Sequence, residues 1–281
     1  MMKHFGVFLR GVAMGAADVV PGVSGGTVAL ITGIYATLIQ SLSAINIDFF
    51  RLVLKGRIVD AWHHVNANFL LALMAGIAVS LFSLAKVITF GLAQHPEPVY
   101  SFFMGLILAS SILLWRDITP HRLSHGGWLL IGALFMWGVS ELRPVAIEPT
   151  PWLLFGGGAI AICAMILPGI SGSFLLLMMG LYSVVLSAID TLDLATILIF
   201  GAGCIVGLLS FVRVLSWLLI RYRNALMSFL VGVLLMSLKV LWPWQGVSMA
   251  AGSEAAIAGG AFIVGLVLVA GLGYLGRQRL S

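Results

Sequence analysis

The chain has 281 residues, of which 61% are hydrophobic and only 9% charged, and its mean hydropathy is +1.12. A soluble globular domain carries nearer ~25% charged residues, so this composition excludes one and indicates an integral membrane protein with little mass outside the bilayer. The net charge of +5 and sequence pI of about 9.6 fit basic residues retained at cytoplasmic loops; no basic patch is interleaved with aromatics, and nucleic acid is not an expected partner.

The N-terminus begins like a signal peptide with Lys3, but Arg10 and Asp18 interrupt the apolar run and no convincing cleavage site follows, so it reads as retained. Residues 5 to 42 form two apolar segments joined by Val20-Pro21-Gly22-Val23-Ser24-Gly25-Gly26-Thr27. Two full crossings need about 40 apolar residues plus a connection, at ~20 residues each. The unit is slightly short and its turn carries no charge, which predicts a re-entrant hairpin whose tip stops within the membrane. Asn46 to Asn68, with Arg51, Lys55, Arg57, His63 and His64, reads as an interfacial amphipathic helix. Adjacent histidines diverge on a helix and make a poor metal pair, so these two read as solvated or touching headgroups. Three crossings follow at roughly 69–92, 99–115 and 127–141.

Residues 153 to 190 then repeat the hairpin around Leu167-Pro168-Gly169-Ile170-Ser171-Gly172-Ser173-Phe174, at an offset of 147, and the match continues from Gly33-Ile34-Tyr35 to Gly180-Leu181-Tyr182. Three further crossings are expected at roughly 195–219, 226–242 and 256–276. Here the offset is 127, pairing Gly76 with Gly203, Lys86 with Arg213, Gly105 with Gly232 and Trp115 with Trp242. The chain thus divides into a first repeat, 1–142, and a second, 143–281. If the N-terminus is cytoplasmic, eleven cations fall inside (Lys3, Arg10, Arg51, Lys55, Arg57, Arg116, Arg122, Arg221, Arg223, Arg277 and Arg279) and two outside (Arg143 and Lys239). An odd number of crossings per repeat inverts the second copy. The expected fold is therefore an all-α integral membrane protein with an inverted-topology repeat, each half a re-entrant helical hairpin plus three transmembrane helices.

That plan suits a transporter, in which discontinuous helices hold substrate near the midplane. Pro-Gly, Ser and Gly free backbone amides, and Ser24 or Ser171 can cap the helix that follows; each tip is a candidate anion site, with Ser24, Gly25, Gly26, Thr27, Ser171, Gly172 and Ser173 as phosphate ligands. Lys86 and Arg213, at equivalent places inside apolar crossings, are candidate phosphate cations; the alternative is that both snorkel to headgroups. Asp18, whose counterpart is Met165, can carry a coupling proton, hold the first tip by accepting its amides, or sit at the interface. Glu141 and Arg143 read as a rim pair. Cys163 and Cys204 read as buried small hydrophobes. No metal or cofactor is called for.

The run Met14-Gly15-Ala16-Ala17-Asp18-Val19-Val20-Pro21-Gly22-Val23-Ser24-Gly25-Gly26-Thr27, followed by Leu167-Pro168-Gly169-Ile170-Ser171-Gly172-Ser173, resembles the DUF368 family of bacterial membrane proteins. The resemblance covers essentially the whole chain. It implies a flippase that returns undecaprenyl phosphate, the lipid carrier of cell-wall building blocks, from the outer to the inner leaflet of the cytoplasmic membrane. The polyprenyl chain and the direction come from that resemblance alone; the residues themselves reach only an anionic, phosphate-bearing substrate. Two rivals stay open. One is a polyprenyl-pyrophosphate phosphatase, though neither tip carries a His, Glu or Arg for the chemistry. The other is a small-anion channel.

Overall fold

The computed structural model describes residues 2–20, 23–120, 122–144, 148–242, 244 and 253–278. Pro21, Gly22 and Arg279, on which parts of the sequence reading rest, lie outside that set, as do the side chains of Lys3 and Arg277. Among the described residues there are fifteen helices and no strand. Five of these described helices are long and apolar enough to cross a membrane, or up to eight spans if each of three bent pairs counts as one. Large apolar side chains such as Phe82, Leu198, Ile220 and Ile263 face outward, the arrangement of an all-α membrane protein solvated by lipid rather than water.

The first hairpin comprises α1 (Met2–Asp18), α2 (Gly25–Ile31) and α3 (Tyr35–Ser43); α4 (Ile47–Leu54) and α5 (Ile58–His64) follow. The sequence predicts a hairpin of two apolar segments, and the returning one is itself bent by 116° between α2 and α3. Gly33 at φ +74° makes that turn, and its counterpart Gly180, at φ +68°, bends the second hairpin by 105°; glycine enters this backbone region without a Cβ clash. The match of Gly33-Ile34-Tyr35 with Gly180-Leu181-Tyr182 therefore records a shared helix break.

The single amphipathic helix expected over 46–68 is two short ones. Asn46 starts α4 by accepting the Asp48 and Phe49 amides at 3.0 and 3.1 Å. Gly56, at φ +71°, ends that segment. The first crossing, expected over 69–92, is also interrupted: α6 (Ala67–Ser83) gives way at Leu84 to α7 (Ala85–Gln94). There the Ser83 hydroxyl donates to the Val79 carbonyl, a back-bond that competes with the helical ladder. The counterpart in the second half, α13 (Leu194–Arg221), runs unbroken for 28 residues. The remaining elements are α8 (Pro96–Arg116), α9 (Leu123–Ser140), α10 (Pro151–Ile166), α11 (Gly172–Met178), α12 (Tyr182–Asp190), α14 (Arg223–Leu241) and α15 (Ser253–Gln278). Pro opens two of these helices: Pro151 follows Thr150, which accepts the Leu153 amide at 3.3 Å, and Pro96 opens α8 without a side-chain cap.

Packing follows the duplication. Helix α1 lies on α6 as α10 lies on α13, and α8 lies on α15 as α14 lies on α9. Glycines set these approaches: a Cβ on Gly76 would come 2.1 Å from the Phe8 carbonyl oxygen, and on Gly203 2.0 Å from that of Phe155. Both residues of the second contact sit at the offsets read from the sequence. Gly105 meets the Phe262 carbonyl and Gly232 that of Leu129, each at 2.0 Å to a built Cβ. Such spacing lets backbones touch where lipid offers no hydrophobic drive. The buried core gathers α2, α3 and the first tip against α6, α8, α13 and α14, with Ile39, Ile107, Leu230 and Leu234 fully enclosed.

Candidate functional site: two tips seated on one another

The two tips, nearly 150 residues apart in sequence, meet at the centre of the fold. Ser24 Oγ donates to the carbonyl oxygens of Met165 and Leu167 at 3.0 and 3.4 Å. Thr27 Oγ1 accepts the Gly169 amide at 2.9 Å. A Cβ on Gly26 would lie 2.6 Å from the Ile166 carbonyl oxygen, so glycine is what lets α2 approach the end of α10. Ser24 and Thr27 are 1% and 0% exposed. Gly169, at φ +85°, turns the chain so that its N–H faces Thr27.

The first tip is closed by its own groups. Asp18 Oδ1 accepts the Gly25 amide at 2.6 Å, and Ser24 Oγ accepts that of Gly26 at 3.1 Å. The Thr27 amide donates to the Ser24 carbonyl at 2.9 Å. The bare amides anticipated at Gly25, Gly26 and Thr27 are thus engaged within the protein. Of the roles open to Asp18, holding the tip is the one its hydrogen bond matches.

The second tip differs because its sequence differs. Met165 stands where Asp18 does in the first, and its Cγ lies 2.5 Å from a Cβ built on Gly172. Ser171 Oγ is 2.8 Å from Ser173 Oγ and does not cap α11. Among the described residues the Gly172 and Ser173 amides have no acceptor, as orphan donors at a helix start require one from elsewhere. Ser171 is 7% exposed, whereas Ser173 is exposed.

Lys86 and Arg213 are not drawn into this junction. Both side chains are exposed, and neither forms a hydrogen bond or ion pair with another described residue. The break at Leu84 further separates their settings, since Lys86 lies in the first turn of α7 and Arg213 inside the unbroken α13, about two turns before its end. His63 and His64 sit on exposed α5, and no group of three or more potential metal ligands exists among the described residues. Glu141 pairs with Lys239 rather than chiefly with Arg143; the hydrogen bond from that ammonium, aided by its charge, holds the carboxyl below the usual glutamate range. This pair ties the end of α9 to the end of α14. Cys163 and Cys204 are half-buried rather than buried, the Cys163 thiol lying 3.7 Å from the Gly207 carbonyl oxygen.

Sequence reasoning missed the acceptors that seat the first tip, because Met165 and Leu167 act through backbone carbonyls. It also missed Tyr35 Oη and Ser80 Oγ, two buried hydroxyls without a partner among the described residues. Tyr35 was visible as one of a matched pair; its burial beside the bend was not.

Comparison with known proteins places the chain. No solved structure matches it. It is 49% identical over 244 residues to a polyprenyl-phosphate transporter of Vibrio cholerae serotype O1, covering 87% of this chain and 79% of that one. It is 28% identical over 254 residues to a polyprenyl-phosphate transporter of Staphylococcus aureus, covering 84% and 85%. These relatives are named as transporters, not enzymes. With residues 14–258 matched by the family model described as VCA0040-like, undecaprenyl phosphate translocase-like, the chain belongs to that family.

Proposed function

We propose that the protein moves undecaprenyl phosphate from the outer to the inner leaflet of the bacterial cytoplasmic membrane, with both termini cytoplasmic and the two tips forming a shared phosphate site. The observation that carries this reading is the direct seating of one tip on the other. One helix pair packed alike within each half, α1 on α6 and α10 on α13, and one matched pair across the halves, α8 on α15 and α14 on α9, support an inverted repeat, 1–142 and 143–281, whose re-entrant hairpins approach from opposite faces. In such a protein the halves exchange roles, and the tip contact must break and re-form in each cycle.

The chemistry follows from desolvation. A phosphate taken from headgroup water into an apolar protein needs replacement donors, and charge-assisted ones are the strongest. The hydroxyls of Ser171 and Ser173 and the amides of Gly172 and Ser173 offer these at the second tip. At the first, the Ser24 and Thr27 hydroxyls become available when the contact with residues 165–169 opens, and the Gly25, Gly26 and Thr27 amides join them as Asp18 Oδ1, Ser24 Oγ and the Ser24 carbonyl release them. Lys86 and Arg213 attract the phosphate from the two sides before it reaches the tips. The isoprenoid tail stays in lipid or against apolar protein throughout.

The test is transbilayer movement of a short-chain polyprenyl phosphate in proteoliposomes, with phosphate release from the pyrophosphate form assayed in parallel. Movement in wild type that is lost in Ser24→Ala/Ser171→Ala and reduced in Arg213→Ala, without phosphate release, is expected. Phosphate release without movement contradicts the proposal.

A further inference from the structure

The second tip opens sideways onto an apolar groove. A cavity of about 330 Å³ runs beside Leu167, Ile170 and Leu175, walled by Phe135 of α9 and Phe211 of α13. A second, of about 640 Å³, shares Phe135, Leu167 and Phe211 with it and continues to Trp128, Trp217 and Tyr222. Each has the size of a small-molecule site, ~300–1,000 Å³. From Phe211 to Tyr222 the path follows α13 for about 16 Å by the helical rise. Apart from its aromatic tips and the weakly polar Cys163 thiol the lining is hydrocarbon, so a charged ligand has nothing to pair with there.

The far end of the groove has the opposite character. Arg221 and Arg223 flank Tyr222 at the α13–α14 junction, and Arg116 and Arg122 flank the α8–α9 junction. Asn224 Nδ2 donates to the Thr119 carbonyl at 3.3 Å, which brings the two junctions together. All four arginines are exposed, and none forms an ion pair with a described carboxylate. Asp117 is the acidic residue of these junctions, which leaves the rim positively charged. Trp217 packs edge-on to Tyr222 with ring centroids 5.4 Å apart, an amphipathic pair suited to the boundary between headgroups and hydrocarbon.

We propose that this groove between α9, α13 and α14 is the lateral portal for a polyprenyl phosphate: the isoprenoid tail lies along Phe135, Phe211 and Trp217 while the phosphate is held at one end or the other, by the second tip or by the arginine rim. The inference rests on the polyprenyl-phosphate reading above and adds the place where the lipid leaves or joins the membrane. Complementarity at both ends selects the occupant. The tip offers hydroxyls and amides, the rim offers guanidiniums that hold phosphate bidentately, and the slot between them accepts one long apolar chain.

The experiment uses the full chain in nanodiscs with a photoreactive diazirine polyprenyl phosphate, mapping the labelled peptides and measuring binding. Labelling of α13 and α14 beside Phe211, Trp217 and Tyr222 is expected, competed by undecaprenyl phosphate but not by phosphatidylglycerol. Ala225→Trp, which fills the groove away from the tips, is expected to weaken binding by about tenfold, as lost burial of a few methylenes would. Arg221→Gln/Arg223→Gln is expected to weaken it and flatten its salt dependence. If Ala225→Trp does not fold, Trp217→Ala at an exposed position takes its place. Saturable labelling confined to the tip peptides would overturn the portal and leave the transport reading standing. Absence of saturable labelling anywhere would overturn both, and equal competition by phosphatidylglycerol would assign the groove to bulk lipid.

Discussion

Replacing Thr27 with Val removes one hydroxyl from the junction and little else. The side chain is fully buried, valine has nearly its shape, and the lost atom is the acceptor of the Gly169 amide at 2.9 Å. That amide is buried and has no other acceptor among the described residues. Leaving a buried donor unpaired costs about 1–3 kcal/mol, so the seated arrangement of the tips should lose that much relative to any arrangement in which water reaches Gly169. At about 1.4 kcal/mol per factor of ten, the shift between seated and parted tips is roughly five- to 150-fold. The assay is thermal unfolding of the purified protein alongside hydrogen exchange of the Leu167–Ser171 segment. Thr27→Val should lower the melting temperature and speed exchange there, whereas Thr27→Ser, which keeps the acceptor, should lie close to wild type. Equal stability and exchange in wild type and Thr27→Val would refute the claim that this bond seats the tips.

Asp18→Ala should destabilise the first tip by about 1–3 kcal/mol by orphaning the Gly25 amide, whereas Asp18→Asn, still able to accept, should keep most stability and transport; a stable but inactive Asn variant would instead mark Asp18 as a proton carrier. Gly105→Ala and Gly232→Ala each place a methyl 2.0 Å from a carbonyl oxygen of the facing helix, and a loss of about 1–3 kcal/mol from overpacking is expected in thermal unfolding. Gly127→Ala, with nothing within 4 Å, should be neutral or stabilise α9 by about 0.5–1 kcal/mol. Because Lys239 lowers the Glu141 pKa from its ordinary value of 4.5, the pair's contribution is present above that value and is lost as pH falls through the lowered one. The melting temperatures of wild type and Glu141→Gln should therefore differ slightly at neutral pH and converge in acid; a difference that persists in acid would contradict the pairing.

The tips were legible because their signal is local and doubled: Pro-Gly, Ser and Gly between apolar runs, twice, can be read without knowing what packs where. The offset of 127 matched Gly76 with Gly203 but not what they touch; their seats on Phe8 and Phe155 emerge only from the packing, where close helix contacts in lipid need small residues. The bends at Gly33 and Gly180 were visible as glycines but not as turns, because a lone glycine is tolerated in an apolar helix. The break at Leu84 was not legible, because a single Ser83 in a largely apolar run is ordinary and its bond to the Val79 carbonyl has no signature in sequence. Pairings such as Thr27 with Gly169, or Ser24 with the Met165 carbonyl, depend on two distant backbones meeting and have no pattern in one dimension. Equivalence across the repeat also overstated likeness: Asp18 and Met165 occupy matching places, yet one bonds the following helix and the other fills space beside it.

The central claim is that the two tips take turns at one phosphate site. It is tested most directly by single cysteines at Ser24 and Ser173, in a Cys163→Ala/Cys204→Ala background, probed with an impermeant thiol reagent from each side of oriented vesicles. The account predicts that Ser173→Cys reacts from one side, is protected by polyprenyl phosphate, and that Ser24→Cys becomes reactive from the other side only when that lipid is present. Reaction of both from the same side, or reactivity indifferent to the lipid, would contradict it.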